Sequence, residues 1–299
     1  MNTIRRIFKK SHFLYSLVGK ARLSIRKLKL KLVNENNAKT FNEKILLRIK
    51  MAGNPELAKK LGFFADKYLV KSYVESKIGS KYVVPLLFVG DELNENVWNK
   101  LPKKFVIKTN FGTGAQHYHI VENKDSEIFD EIKKKFDIAL CDNWFNNTSE
   151  YAYKYIERKI IIEEYMPGVD GKTSPDDFKL HMFRNKDDSF DVVVQVDTGR
   201  FEKLCRNFYD NQFNLLDIHY TGSSNFDFKL PIMRVKEMIK LSEVLISDLT
   251  YARVDWYYID DMIYFGEITH THVAGNAQFY PKSADRLLGD KIKFNDIFR

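Results

Sequence analysis

Cysteine and long apolar runs are both scarce in this chain. Only Cys141 and Cys205 occur among 299 residues, and they form no paired motif. They offer no disulfide framework and fit a reducing compartment. No apolar stretch approaches the ~18 residues of a spanning helix. The short run Phe13–Gly19 meets Lys20 and Arg22 at once. It lacks the length and the small-residue cleavage site of a secretory signal. The expectation is a cytoplasmic protein, with peripheral attachment to the inner face of the plasma membrane left open. Acid is missing from the first 34 residues, while residues 1–32 hold ten Lys or Arg. Of 48 basic residues, 38 remain against 40 acidic ones, so the rest of the chain is close to neutral at about −2. The net charge of +8 therefore belongs to one end, and a nucleic-acid groove across the body is not indicated.

What is present is an ordinary globular composition, 44% hydrophobic and 29% charged, in a chain long enough for a substantial core. Aromatics reach 14%, which suits sheet packing and carbohydrate contact alike. Ile4, Ile7, Phe8, Leu14 and Val18 share one helical stripe, with Arg5, Arg6, Lys9 and Lys10 largely off it. This predicts a basic amphipathic helix over residues 3–18. Such a helix suits an anionic membrane surface, a partner enzyme, or packing on its own domain. Residues 24–32 alternate apolar and basic, as a strand or a second helix. Thr40 and Glu43 form a capping box for a helix to about Lys50. Further helices are expected over 65–78, 125–139 and 233–249. In the second of these, Ile128, Ile132, Phe136 and Leu140 should point inward. Strands are expected over 82–89, 104–109, 116–121, 159–165, 177–183, 192–197 and 204–209, then a hairpin of 251–258 and 262–269. Helices mixed with mostly antiparallel strands indicate an α+β protein.

The stretch RVDWYYIDDMIYFGEIT, 253–269, is the most informative. Its even positions are mostly apolar: Val254, Trp256, Tyr258, Met262, Tyr264 and Ile268. Period-two alternation then sends Arg253, Asp255, Glu267 and Thr269 to the opposite face. A three-residue turn at Asp260–Met262 would set Asp255 across from Glu267, with Cβ atoms about 5 Å apart. Two carboxylates that close need a cation, and oxygen-only ligands suit Mg²⁺ shared with nucleotide phosphates. Arg253 could reach the same phosphates. Asp260 and Asp261 read as turn residues. A second stretch, KFVIKTNFGTG at 104–114, runs a strand into Lys108 and a loop with two glycines, able to meet a polyphosphate. It matches neither the P-loop nor the GxGxxG pattern, and a glycine-rich hairpin would also explain it. In a third stretch, IIIEEYMPG at 160–168, an apolar strand ends in two acids like a linker whose backbone could meet an adenine edge.

Nine segments in order resemble the ATP-grasp superfamily, and most closely its TupA-like branch of teichuronopeptide and surface-polysaccharide biosynthesis proteins. They are TFNEKIL (40–46), ADKYLVKSYV (65–74), VPLL (84–87), KFVIKTNFGTG, IIEEYM, DFKLHMF (177–183), DTGRFEKLCRNFYD (197–210), ARVDWY (252–257) and YFGEIT (264–269). The resemblance implies an ATP-grasp fold with ATP held between two α+β lobes, behind the basic segment 1–39. An N-terminal lobe would cover 40–102, a central lobe 103–166 and a C-terminal lobe 167–299. Lys67 and Lys108 would hold ATP phosphates and adenine. Asn110, Gly112 and Gly114 would form a flexible phosphate-covering loop, and Glu163, Glu164 and Met166 the adenine hinge. Asp177 and Lys179 resemble an Asp-x-Arg/Lys pair serving ribose, phosphate or acyl phosphate. Arg200, Arg206 and Asn207 resemble later residues that meet phosphate and the activated carboxylate. Arg253 would stabilise the transferring phosphoryl group, while Asp255, Glu267 and Thr269 would hold Mg²⁺. Many superfamily members have Asn where Thr269 stands. The sequence His270-Thr-His272-Val-Ala-Gly275 departs from the usual glycine-rich turn. His270 and His272 could pair as metal ligands or as acid and base, or simply contact substrate or solvent.

The implied activity is carboxylate–amine ligation through an acyl phosphate, with small-molecule or glycan carboxylates and amines as substrates. Residues 1–32 would face an anionic membrane or polysaccharide-assembly enzymes. The rival readings are a glycosyltransferase or sugar kinase of the same polysaccharide pathway, and an assembly factor whose nucleotide site has decayed. The chain lacks an Asp-x-Asp metal motif, since neither Asp176–Asp177 nor Asp260–Asp261 has that spacing. The retained Lys108, Lys179, Arg253, Asp255 and Glu267 speak against decay.

Overall fold

A computed structural model describes residues 23–168, 174–200 and 203–299. The helix expected over 3–18 lies outside the described residues. Residues 23–32 are helical rather than extended; we call this helix α1. Thr40 caps α2 (Phe41–Met51) with the full reciprocal box: its side chain accepts from Glu43 N–H, and the Glu43 carboxylate accepts from Thr40 N–H.

A helix was not anticipated at α3 (Pro55–Ala65), although Asn54 caps it and Pro55 opens it, the usual arrangement for a first turn. Nor does one helix run from Ala65 to Ile78. Asp66 ends α3, and its carboxylate accepts from the N–H groups of Tyr68 and Leu69. Those bonds start α4 (Leu69–Ile78) on a new axis. The strand expected from Tyr82 begins only at β1 (Leu86–Gly90). A 3₁₀ turn occupies Ser80–Tyr82, and Pro85 has no N–H to give a ladder.

After α5 (Glu95–Lys100), β2 (Phe105–Thr109) and β3 (Tyr118–Val121) come α6 (Phe129–Leu140) and the short α7 (Trp144–Thr148). Ile128 caps α6 and is 59% exposed, against the expectation that it points inward; Ile132 and Phe136 are buried as expected. Then follow β4 (Ile160–Glu164), β5 (Asp176–Arg184), β6 (Phe190–Thr198), β7 (Cys205–Tyr209), α8 (Ile232–Leu245), β8 (Tyr251–Ile259), β9 (Met262–Thr269) and α9 (Ser283–Lys291).

The strands form two antiparallel sheets, one of four strands in the order β1-β4-β2-β3 and one of five in the order β7-β6-β5-β8-β9. The small sheet has its own core, with Phe105, Ile107, Val121, Ile160 and Ile162 packed on Ile132 and Phe136. The large sheet is covered on both faces. Phe178, Leu180, Val194, Val254 and Trp256 join Leu61, Val70 and Val74 of α3 and α4. Phe183, Val193, Phe208 and Tyr251 join Phe41, Ile45 and Ile49 of α2. Double coverage explains why Val192–Val196 is nearly continuous in apolar residues.

Strand pairing crosses the expected boundary at 102/103. Strand β1 pairs with β4 across some 70 residues of chain, in register from Leu86↔Glu163 to Gly90↔Ile160. Helices α2 to α4, assigned to the same N-terminal lobe, pack instead on the large sheet. Long-range pairing of this kind leaves no local mark in the sequence.

Candidate active site

The β8–β9 hairpin sets the geometry of the large sheet's open face. Its turn is two residues, not three: Ile259 pairs with Met262, and Asp260 and Asp261 both take left-handed φ values of 47° and 63°. Such turns suit the twist of a hairpin. This register alone would put Asp255 opposite Gly266. A β-bulge at Gly266 adds the missing residue, so Asp255 faces Glu267 after all. A Cβ on Gly266 would lie 3.1 Å from the Asp255 carbonyl oxygen, which is why the bulge takes glycine. The bulge also reverses the faces before it. Ile263 and Phe265 are buried in the core, while Met262 is 44% exposed, contrary to the simple alternation.

Register then lines up charged residues in rungs across the sheet. Gln195, Lys179, Asp255 and Glu267 form one rung; Arg206, Asp197, Asp177 and Tyr257 form the next. Arg253 lies at the centre. Its Nε donates to Asp255 Oδ1 at 2.6 Å, and its Nη2 to Asp255 Oδ2 and Glu267 Oε1, each at 2.7 Å. Nη1 donates to His272 Nδ1 at 2.8 Å. Lys179 bonds Asp255 at 3.0 Å and also Asp177. Arg206 clasps Asp197 with two bonds of 2.6 and 2.7 Å, and Arg200 reaches Asp177 at 3.5 Å. Burial would raise the Glu267 carboxyl, but Lys67, Arg253 and Lys179 outweigh it and hold the group at about 2. Asp255 is raised by burial and by the neighbouring Glu267 and Asp177 charges, against the pull of Arg253 and Lys179. Thr269 donates its hydroxyl to Glu267 and accepts from Arg253 at 3.2 Å. Its oxygen is therefore engaged in orienting the pair.

The small sheet supplies the facing wall. Lys108 of β2 donates to Glu163 of β4 at 2.5 Å, and Lys71 of α4 bonds the other carboxylate oxygen at 2.8 Å. Burial favours the neutral acid, yet the two ammonium groups hold Glu163 down at about 2. Lys71 was not singled out from the sequence. The available signal was a lysine among Val70, Tyr73 and Val74 on a buried helix face.

The break between α3 and α4 brings Lys67 against the glycine loop, where Nζ donates to the Gly112 carbonyl at 3.0 Å and lies 3.7 Å from Glu267. Gly112 rests on the buried His117 ring, and an added Cβ would sit 2.0 Å from its Nδ1. Gly114 has φ +84° with open space around it. Asn110 differs from expectation. It is fully buried and bonded to Asp66, the Glu157 carbonyl and the Lys159 N–H, so it braces the loop from below.

Between the two walls lies a cleft of roughly 600 Å³, a size suited to a cofactor-sized ligand. Lys67, Lys108, Gly112 and Gly114 line it on one side, with Glu163, Glu164 and Met166 at the strand end. Asp177, Lys179, Arg200, Arg206, Arg253, Asp255, Glu267 and Thr269 line the other. Among the described residues no group of three or more His, Cys, Asp or Glu could hold a metal. Two facing carboxylates do fit Mg²⁺, which commonly takes one or two together with substrate phosphates. His270 and His272 are both buried and driven towards the neutral form, His270 to about 3 by burial and the Arg48 charge. His272 accepts from Arg253, a role not foreseen.

A family model described as TupA-like ATPgrasp matches residues 27–293. No curated protein matches significantly. The chain is similar to solved structures of low identity. D-alanine–D-alanine ligase from Bacillus anthracis, complexed with ATP, has 17% identity and TM-score 0.43, over 77% of this chain and 63% of that one. N5-carboxyaminoimidazole synthetase from Staphylococcus aureus, complexed with ADP, has 14% and 0.42, over 70% and 45%. D-alanine–D-alanine ligase from Helicobacter pylori has 16% and 0.38, over 71% and 56%. The chain thus spans from under half to under two thirds of the length of these three structures.

Proposed function

This chain belongs to the TupA-like ATP-grasp family, and on that premise we propose that it is an ATP-dependent carboxylate–amine ligase acting through an acyl phosphate. The observation that carries the reading is the convergence of Arg253, Lys179, Asp255 and Glu267 in one buried cluster facing Lys67 and Lys108 across the cleft. In the proposed reaction a substrate carboxylate oxygen attacks the γ-phosphorus of ATP, the bond to the β-phosphate oxygen breaks, and ADP leaves. Negative charge spreads over the phosphoryl oxygens in that transition state. Arg253 is already oriented by Asp255, Glu267, Thr269 and His272, so it meets this charge with little reorganisation. Lys179 and Arg200 add positive charge beside Asp177. Asp255 and Glu267 would hold Mg²⁺ against the phosphates, where it supplies charge neutralisation and orientation. The amine then attacks the acyl carbon: a C–N bond forms, the C–O bond to phosphate breaks, and orthophosphate departs as nitrogen loses a proton.

For substrate we propose a uronic acid or amino acid component of a bacterial capsular, O-antigen or other surface polysaccharide. The likeness of the nine motifs to surface-polysaccharide proteins supports it. Helix α1 supports a site of action at the cytoplasmic face of the membrane. It exposes Ile25, Leu28 and Leu32 beside the exposed Lys27, Lys29 and Lys31, a combination suited to an anionic lipid surface.

The test is calorimetric titration with ATP, with and without Mg²⁺, for the wild type, Asp255→Asn and Glu267→Gln. Magnesium-dependent binding that both variants lose or weaken is expected. ATP binding that is indifferent to Mg²⁺ and to both substitutions would overturn the site. Binding of a UDP-sugar in place of ATP would move the chain to the glycosyltransferases.

A further inference from the structure

Beyond Arg253 and Glu267 the cleft continues to a wall formed by Trp144, Thr148, Glu150, Tyr153, Thr271 and Ala274. Nothing in the phosphoryl-transfer chemistry uses these residues. We propose that this end of the cleft binds the amine nucleophile of the ligation as an ammonium group held by the Glu150 carboxylate, which takes one proton from it before the nitrogen attacks. The inference rests on the ligase reading above and assigns the second substrate's place within it.

Glu150 is 6% exposed and lines the cleft. The other acids that line it, Asp177, Asp197, Asp255, Glu163 and Glu267, each have a lysine or arginine partner, apart from the exposed Glu164. Glu150 has no salt bridge among the described residues. Its Oε1 accepts from the Thr271 hydroxyl. The Trp144 indole N–H is near enough to favour the ionised carboxylate, yet it makes no hydrogen bond of normal geometry and is itself buried. Burial raises the carboxyl, opposed by the Thr271 and Thr148 hydroxyls and by the Arg26 charge behind it. Arg26 offsets part of that cost without forming a salt bridge, and a donor-rich cation entering from the cleft supplies the direct ion pair.

The surrounding chain is built to hold this shape. Val273 and Ala274 are left-handed at φ 45° and 51°, and the Arg26 guanidinium donates to the Ala274 carbonyl at 2.8 Å. Left-handed conformations at two residues with side chains are costly and persist where the surroundings enforce them. Charge sorts the two substrates. A carboxylate is drawn to Lys179, Arg200 and Arg253 and repelled by Glu150, whereas an ammonium has the opposite preference. Tyr153, whose hydroxyl feels both Glu150 and Glu267, stands between the two.

The experiment separates the two half-reactions. Wild type and Glu150→Gln are incubated with Mg²⁺–ATP, a panel of uronic acids, and either hydroxylamine or a panel of free amino acids. Hydroxamate reports the acyl phosphate alone, because hydroxylamine traps it chemically; amide reports use of the amine. We expect a selective loss: in Glu150→Gln, KM for the amine rises at least tenfold and hydroxamate falls far less. Equal amine KM in the two proteins would overturn the site. Absence of hydroxamate from the wild type would sink the ligase reading itself, and this inference with it. If Glu150→Gln melts early, Thr271→Val and Trp144→Phe take its place. Each should raise amine KM several-fold without moving KM for ATP, and unchanged amine KM in both overturns the proposal.

Discussion

Glutamine at position 163 should destabilise the protein in a way that fades with acid. Glu163 is buried between Lys71 and Lys108, and its carboxyl is held at about 2 against an ordinary 4.5. A depression of some 2.5 pH units corresponds to about 3 kcal/mol of preference for the ionised form in the folded state. Its side chain is only 8% exposed, so solvent screening removes little of this. Glu163→Gln also leaves two lysines near one another without an anion, a change that typically costs about 3–5 kcal/mol. The sign follows from the depressed pKa. The contribution is fully present above about pH 4.5 and is lost as pH falls through about 2. Urea unfolding of wild type and variant at pH 7, 5, 4 and 3 reads the difference. The expected gap is about 3 kcal/mol at pH 7 and 5, narrowing at 4 and further at 3. A gap under about 0.5 kcal/mol at neutral pH, or one that stays constant down to pH 3, would refute the reasoning.

Arg253→Lys should lower kcat on the order of 10²–10³-fold while ATP affinity changes little, because one ammonium cannot make the guanidinium's several directed bonds; steady-state ADP release alongside calorimetry checks it. Gly112→Ala should cost more than about 2 kcal/mol or displace the loop, since its Cβ would overlap the His117 ring. Gly114→Ala, with open space but φ +84°, should cost only about 1 kcal/mol, and thermal melting distinguishes the pair. Changing Ile25, Leu28 and Leu32 together to Ser should reduce co-sedimentation with phosphatidylserine-containing vesicles and leave melting temperature nearly unchanged; unaltered sedimentation would detach α1 from the membrane reading.

Local signals carried far in this chain. The capping box at Thr40 and Glu43 and the hairpin near 251–269 were legible because their partners lie within a few residues. The facing of Asp255 and Glu267 was anticipated through a three-residue turn, whereas the structure reaches it with a two-residue turn and the bulge at Gly266. Both routes insert one residue, so the pattern of charges alone does not separate them. The inward placement of Met262 and Tyr264 failed for the same reason. The unexpected α3 and the break at Asp66 were written in Asn54-Pro55 and in Asp66 itself, but helix periodicity through 65–78 masked them.

The sequence by itself determined the family, the α+β character and the set of ionisable residues available to the cleft, since motif order and alternation are properties of neighbours along the chain. The tertiary structure alone decided that β1 joins β4, that Lys71 and Lys108 share Glu163, and that Asn110 lies beneath the loop. It also buried Glu150 at the end of the cleft without a salt bridge among the described residues. These are contacts between residues from 44 to 121 positions apart, and which groups lose water together there depends on how the two sheets close on one another.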